Sequence, residues 1–94
     1  AGGAGVLSAQ ARLGLGRLAQ AEGRDDDALS EYLKVAVLFA DDEAVAEALL
    51  LAGGCLERLG DPDGARGRYR EVVDAHPKSS SVSAAREALR RLDS

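Results

Sequence analysis

A single cysteine, Cys55, excludes an intrachain disulfide and any metal site built from several thiolates. Tryptophan and methionine are absent, and the aromatic side chains amount to two tyrosines and one phenylalanine. Any core must therefore be built mainly from aliphatic side chains. No apolar run approaches the roughly 20 residues that span a bilayer, so direct membrane insertion is not expected. Positive charge is not in excess: 12 Lys and Arg stand against 16 Asp and Glu, a net charge of −4, with both signs mixed along the chain. A nucleic-acid binder needs a basic stripe to neutralise phosphates. None is present.

What the chain does have is alanine, leucine, valine and charge. Apolar residues make up 46% of 94 residues, and Ala, Leu, Arg and Glu lose little on entering a helix. The composition predicts one small all-α domain, residues 1–94, read as a piece of a longer protein.

The chain repeats itself. Gly60–Pro77, moved back by 37 residues, lands on Gly23–Ala40. Glycine falls on glycine (Gly23, Gly60), Asp26 on Asp63, Ala28 on Ala65, Tyr32 on Tyr69 and Val35 on Val72. Ala11, Ala48 and Ala85 continue the series, and Val45 pairs with Val82. Self-similarity at this kind of period marks a stacked array in which each unit buries its face against the next.

In chain order, Ala1–Gly5 is too glycine-rich to hold a helix and is expected to fray. The first helix is expected over about 6–22, burying Leu7, Ala11, Leu15 and Leu18. Asp25, Asp26 and Asp27 would cap the second helix, which runs to about Phe39 and carries Ala28, Tyr32, Val35 and Phe39 on one face. Its apolar face is wide enough to make it the most buried helix. Asp41 and Asp42 would open a third helix over about 43–59. Asp61 followed by Pro62 opens the fourth, and Pro77 stops it near His76. The serines at 79–81 would cap a fifth helix over about 81–92, polar on most sides and suited to closing the array. Repeat 1 is thus about 6–40, repeat 2 about 43–77, and the capping helix about 81–92.

Leu15-Gly16, Gly23, Ala28 and Tyr32, then Gly60, Ala65, Tyr69 and Pro77, resemble the tetratricopeptide repeat. The resemblance implies a right-handed solenoid of antiparallel helix hairpins: about five helices, two repeats and a cap. Departures are a period of 37 instead of 34, Ala40 where a closing proline belongs, and Ala52 in place of a leucine. The longer repeat, with Pro77–Ser79 leading into the next helix, is similar to repeats of bacterial cell-envelope proteins. These are the periplasmic coordinator associated with the Tol–Pal system and the outer-membrane assembly lipoproteins. That likeness favours a periplasmic or cell-envelope location.

The resemblance also implies a partner. Such arrays bind a peptide or protein segment on a concave face lined by the first helix of each repeat. Here that face would take Gln10, Leu13, Arg17 and Gln20 from the first helix and Glu47, Leu50, Gly54 and Glu57 from the third. The fifth helix would add Ala84, Glu87 and Arg91. Leu13 and Leu50 would form an apolar floor between charged walls. A clamp for an acidic C-terminal tail needs Lys, Asn and Arg, but the corresponding places hold Leu13, Arg17, Leu51, Ala84 and Ala88. Binding of such a tail is not expected.

No catalytic set is visible. Cys55 has apolar neighbours along its helix, which raise a thiol pKa and make it inert. His76 belongs to a helix end, and the serine run has no base placed by motif. No phosphate loop, zinc motif or carboxylate pair occurs. No enzyme, cofactor or metal is expected. The residues support a non-catalytic scaffold that binds a protein segment. A self-association module forming a homodimer is the alternative, and a regulatory domain of a larger signalling protein is the third reading.

Overall fold

A computed structural model describes residues 7–94. The glycine-rich start expected to fray, Ala1–Gly5, lies outside the described residues. Five helices follow in order: α1 Ala9–Ala21, α2 Asp25–Leu38, α3 Asp42–Arg58, α4 Pro62–Ala75 and α5 Val82–Leu92. No strand occurs among the described residues.

Three helices begin on side-chain caps. The Ser8 hydroxyl accepts from the Ala11 amide at 3.0 Å, Asp41 from Ala44 at 3.2 Å and Asp61 from Gly64 at 2.9 Å. Each satisfies an amide that the helix itself leaves orphaned. Pro62, next after Asp61, has no amide to lose. The other two starts differ from expectation. Asp25, Asp26 and Asp27 all lie inside the first turn of α2, and Arg24 at the cap position makes no side-chain cap bond. Their charge faces the positive end of the helix dipole instead. Ser81 makes no cap bond either. Ser80 turns away, donating its amide and hydroxyl to Glu43 at 2.7 and 2.6 Å. That ties the last loop to the start of α3.

Both hairpins turn in the same way. Gly23 and Gly60 have φ of +77° and +84°, a conformation that L side chains rarely adopt. The next amides, of Arg24 and Asp61, reach back to the Ala19 and Leu56 carbonyls at 2.9 and 2.8 Å. α2 ends without a proline, because Phe39 becomes extended with ψ 151° and leads directly to the Asp41 cap.

Every helix packs mainly on its sequence neighbours, while α1–α3 and α3–α5 touch lightly. One core cluster joins Leu13 and Ala19 of α1, Ala28, Tyr32 and Val35 of α2, and Ala44, Ala48, Ala52 and Cys55 of α3. The second joins Val45, Ala46 and Leu49 of α3 with Ala65, Tyr69 and Val72 of α4 and Val82, Ala85 and Ala88 of α5. α3 serves both clusters and has eight buried residues against three in α2. It, and not α2, is the most buried helix.

The expected stripe of α1 is reversed. Leu13, Gly16 and Ala19 face the core, while Leu15 and Leu18 are 44% and 54% exposed. The reason is Tyr32, whose ring fills the space above Gly16: a Cβ there would stand 2.7 Å from Cδ1 of the ring. A small residue must face in, so Leu15 and Leu18, one position before Gly16 and two after it, cannot.

Candidate partner-binding face

The first helices of the hairpins, α1 and α3, and the closing helix α5 are linked by two cross-helix ion pairs. Arg17 of α1 pairs with Glu47 of α3. Glu57 of α3 accepts from both terminal nitrogens of Arg91 on α5, at 2.6 and 2.9 Å. Arg17, Gly54 and Arg91 stand at corresponding places of the repeat, so the glycine of α3 lies between two arginines in the series. Each of these two pairs sets one cation against one anion across a helix boundary. Charge pairs of this kind are forked and directional, but their exposure leaves them open to competition and to screening by salt.

Glu57 is the most constrained group on the face. Its carboxylate accepts from Arg91 and also from the Tyr69 hydroxyl, at 2.5 Å. Chiefly through Arg91, and further through Tyr69, its pKa is lowered to about 2. Burial, with the neighbouring carboxylate, pushes the Tyr69 phenol well above its usual range. In the first hairpin the same place is neutral: the Tyr32 hydroxyl donates to the Gln20 side-chain oxygen at 2.9 Å. The tyrosine lies 12 residues beyond its partner in both repeats. The spacing from Gln20 to Tyr32, repeated from Glu57 to Tyr69, is the sequence signal for these two bonds.

The structure brings most of the expected residues to one surface and removes one. Gln10 and Arg17 are exposed on α1, and Gln20 is half-buried under its bond to Tyr32. Glu47, Leu50, Gly54 and Glu57 are half-buried on α3. Ala84, Glu87 and Arg91 are exposed on α5, with Glu87 engaged by Arg90. Leu13 is the correction: it is fully buried in the first core cluster and lines no surface. Turning Gly16 toward Tyr32 turns Leu13, three residues earlier, inward with it. The apolar floor is therefore Leu50 alone, and Leu50 itself packs onto the second cluster.

The remaining chemistry-bearing residues have structural partners. Cys55 is fully buried and its thiol pKa is pushed up by burial. The His76 Nδ1 lies 2.6 Å from Asp42, joining the end of α4 to the start of α3. Asp25 accepts from Arg58 at 2.8 Å and Asp27 from Arg24 at 2.9 Å. No group of three or more His, Cys, Asp or Glu side chains is arranged to hold a metal among the described residues. No helix there is long and apolar enough to cross a membrane.

Residues 47–79 match the family model of the tetratricopeptide repeat, a stretch running from α3 through α4 to Ser79. The α1–α2 hairpin repeats that packing at an offset of 37 residues, and the five helices are consistent with a tetratricopeptide-like helical repeat, two hairpins closed by α5. No curated protein and no solved structure matches the chain. The tetratricopeptide repeat is in general a protein–protein interaction module and is generally non-catalytic.

Proposed function

We propose that the domain is a scaffold that binds an extended or helical protein segment across the surface formed by α1, α3 and α5. The observation that carries this reading is the pair of ion bridges, Arg17–Glu47 and Glu57–Arg91, which span the three helices across one surface. Leu50 and Gly54 lie between Glu47 and Glu57 along α3, and exposed Ala84 stands on α5 where α3 has Glu47, small or apolar residues that let a ligand backbone approach. A rigid floor with charged pairs at its edges suits a segment carrying both signs of charge, since each arginine and each glutamate could exchange its partner for a ligand group.

The 37-residue period and the Pro77–Ser79 link fit repeats of bacterial cell-envelope proteins. A periplasmic or cell-envelope setting within a longer protein goes with the reading.

Display of a random peptide library on the folded chain tests the proposal. Selected peptides should lose binding to Ala84→Arg, which fills the floor, and keep it for Arg70→Glu on the outer side of α4. Selection of no peptide, or of peptides indifferent to Ala84→Arg, would overturn the reading.

A further inference from the structure

Leu7, Ala11, Leu15 and Leu18 stand one offset of 37 residues before Ala44, Ala48, Ala52 and Cys55. On α3 all four are buried, in the cluster that holds Ala28, Tyr32 and Val35 of α2. This line of the repeat is therefore a helix-packing face. At its α1 copy, no helix among the described residues covers it, and Leu7, Leu15 and Leu18 are 36%, 44% and 54% exposed.

Beside it, α2 is apolar where the repeat does not require it. Leu33, Val37 and Leu38 correspond to Arg70, Asp74 and Ala75 of α4. Val37 is 81% exposed and Leu38 61%. A shallow groove between Leu15, Leu18 and Lys34 continues at Ser30 and Lys34 into an apolar hollow lined by Leu33, Val37 and Leu38. The two apolar surfaces adjoin across Ser30 and Lys34 and form one mixed patch.

We propose that this patch is where two copies of the chain meet about a two-fold axis, the α1 stripe of one copy seated on the outer face of α2 of the other. Three observations select a second copy. A single helix taking the role that α2 plays toward α3 would cover the α1 stripe and leave Val37 and Leu38 in water, whereas reciprocal pairing covers both. The groove's charges balance, with Arg24 and Lys34 against Asp27 and Glu31, although the chain as a whole carries −4. Two identical patches can therefore meet without net repulsion. At the other end of the array the outward side of α5 is exposed and polar, with Ser83, Arg86, Glu87 and Arg90. Head-to-tail stacking would set that polar side against the leucines, while a two-fold pairing closes on itself. Leu15 and Leu18 of α1, with Leu7 just before the helix, stand where α3 has Ala52, Cys55 and Ala44, so the stripe is a ridge that fits a hollow. This association uses a different surface from the proposed peptide face and stands whether or not that reading holds.

Light scattering and sedimentation from micromolar to near-millimolar concentration test it, with Leu18→Glu, Val37→Asp and Arg86→Ala beside the parent chain. Val37→Asp introduces the residue that α4 already carries at the corresponding place, so folding should survive it, as circular dichroism would confirm. The parent and Arg86→Ala should reach twice the chain mass. Leu18→Glu and Val37→Asp, each entering a two-fold interface twice, should weaken the dimer at least about tenfold. A parent that stays monomeric would overturn the proposal. So would a dimer indifferent to Val37→Asp, a dimer broken by Arg86→Ala, or an open series of masses.

Discussion

The ring of Tyr69 occupies the space that a side chain on Gly53 would need: a Cβ built there would lie 2.7 Å from Cζ of the ring. Tyr32 stands in the same relation to Gly16, so each hairpin is closed by an aromatic ring laid over a glycine of the preceding helix. Because the ring is buried at 3% exposure or less in both cases, it has no room to withdraw.

Gly53→Ala and Gly16→Ala should therefore destabilise the fold, by about 1–3 kcal/mol each through overpacking. Gly67, inside α4 with nothing near its missing Cβ, gives the opposite sign. Gly67→Ala should stabilise by roughly 0.5–1 kcal/mol through helix propensity. Thermal unfolding followed by circular dichroism orders the three, and a melting temperature that rises in Gly53→Ala would contradict the packing described.

The two tyrosine hydroxyls are not equivalent. Tyr69 donates to the ionised Glu57 and Tyr32 to the neutral Gln20. A hydrogen bond to a charged group contributes about 1.5–3 kcal/mol against about 0.5–1.5 for a neutral one. Tyr69→Phe should cost more than Tyr32→Phe in denaturant titrations. Equal losses would mean that the Glu57 contact adds nothing.

Acid should act on the face through Glu57. Its folded pKa, lowered to about 2 chiefly by Arg91, lies below the ordinary value of 4.5. A depressed carboxylate contributes stability that is complete above the ordinary value and is lost as pH falls toward the folded one. The parent chain should thus lose stability between about pH 4.5 and 2 more steeply than Arg91→Gln, whose Glu57 keeps only the Tyr69 bond. Unfolding curves at several pH values check this, with parallel slopes as the contrary result.

Cys55 should resist thiol reagents in the folded chain, because it is fully buried and its thiolate is disfavoured by burial. Labelling should proceed only as fast as the chain opens, and should accelerate sharply in denaturant. Prompt labelling of the native protein would place the thiol at the surface.

Much of the architecture was legible because repeats state their rules twice. Gly23 and Gly60, Ala28 and Ala65, Tyr32 and Tyr69 each occupy the place that their alignment implied. What misled was α1, which has two stripes. Leu7, Ala11, Leu15 and Leu18 are the more hydrophobic, yet Leu13, Gly16 and Ala19 are buried. Apolar periodicity weighs residue type, whereas the hairpin is decided by volume: Tyr32 demands a glycine beneath it, and that fixes the rotation of the whole helix. The same rotation withdrew Leu13 from the partner face. Glu57 and Arg91 were both placed on that face from the sequence, but their mutual bond depends on the approach of α3 and α5, which no local pattern encodes.

Chemical-shift mapping of the isotope-labelled chain with a display-selected peptide tests the central claim most directly. The account predicts that the largest changes fall at Arg17, Glu47, Gly54, Glu57, Ala84 and Arg91, on three helices at once. Changes confined to the outer side of α2 or α4, with those six residues undisturbed, would contradict it.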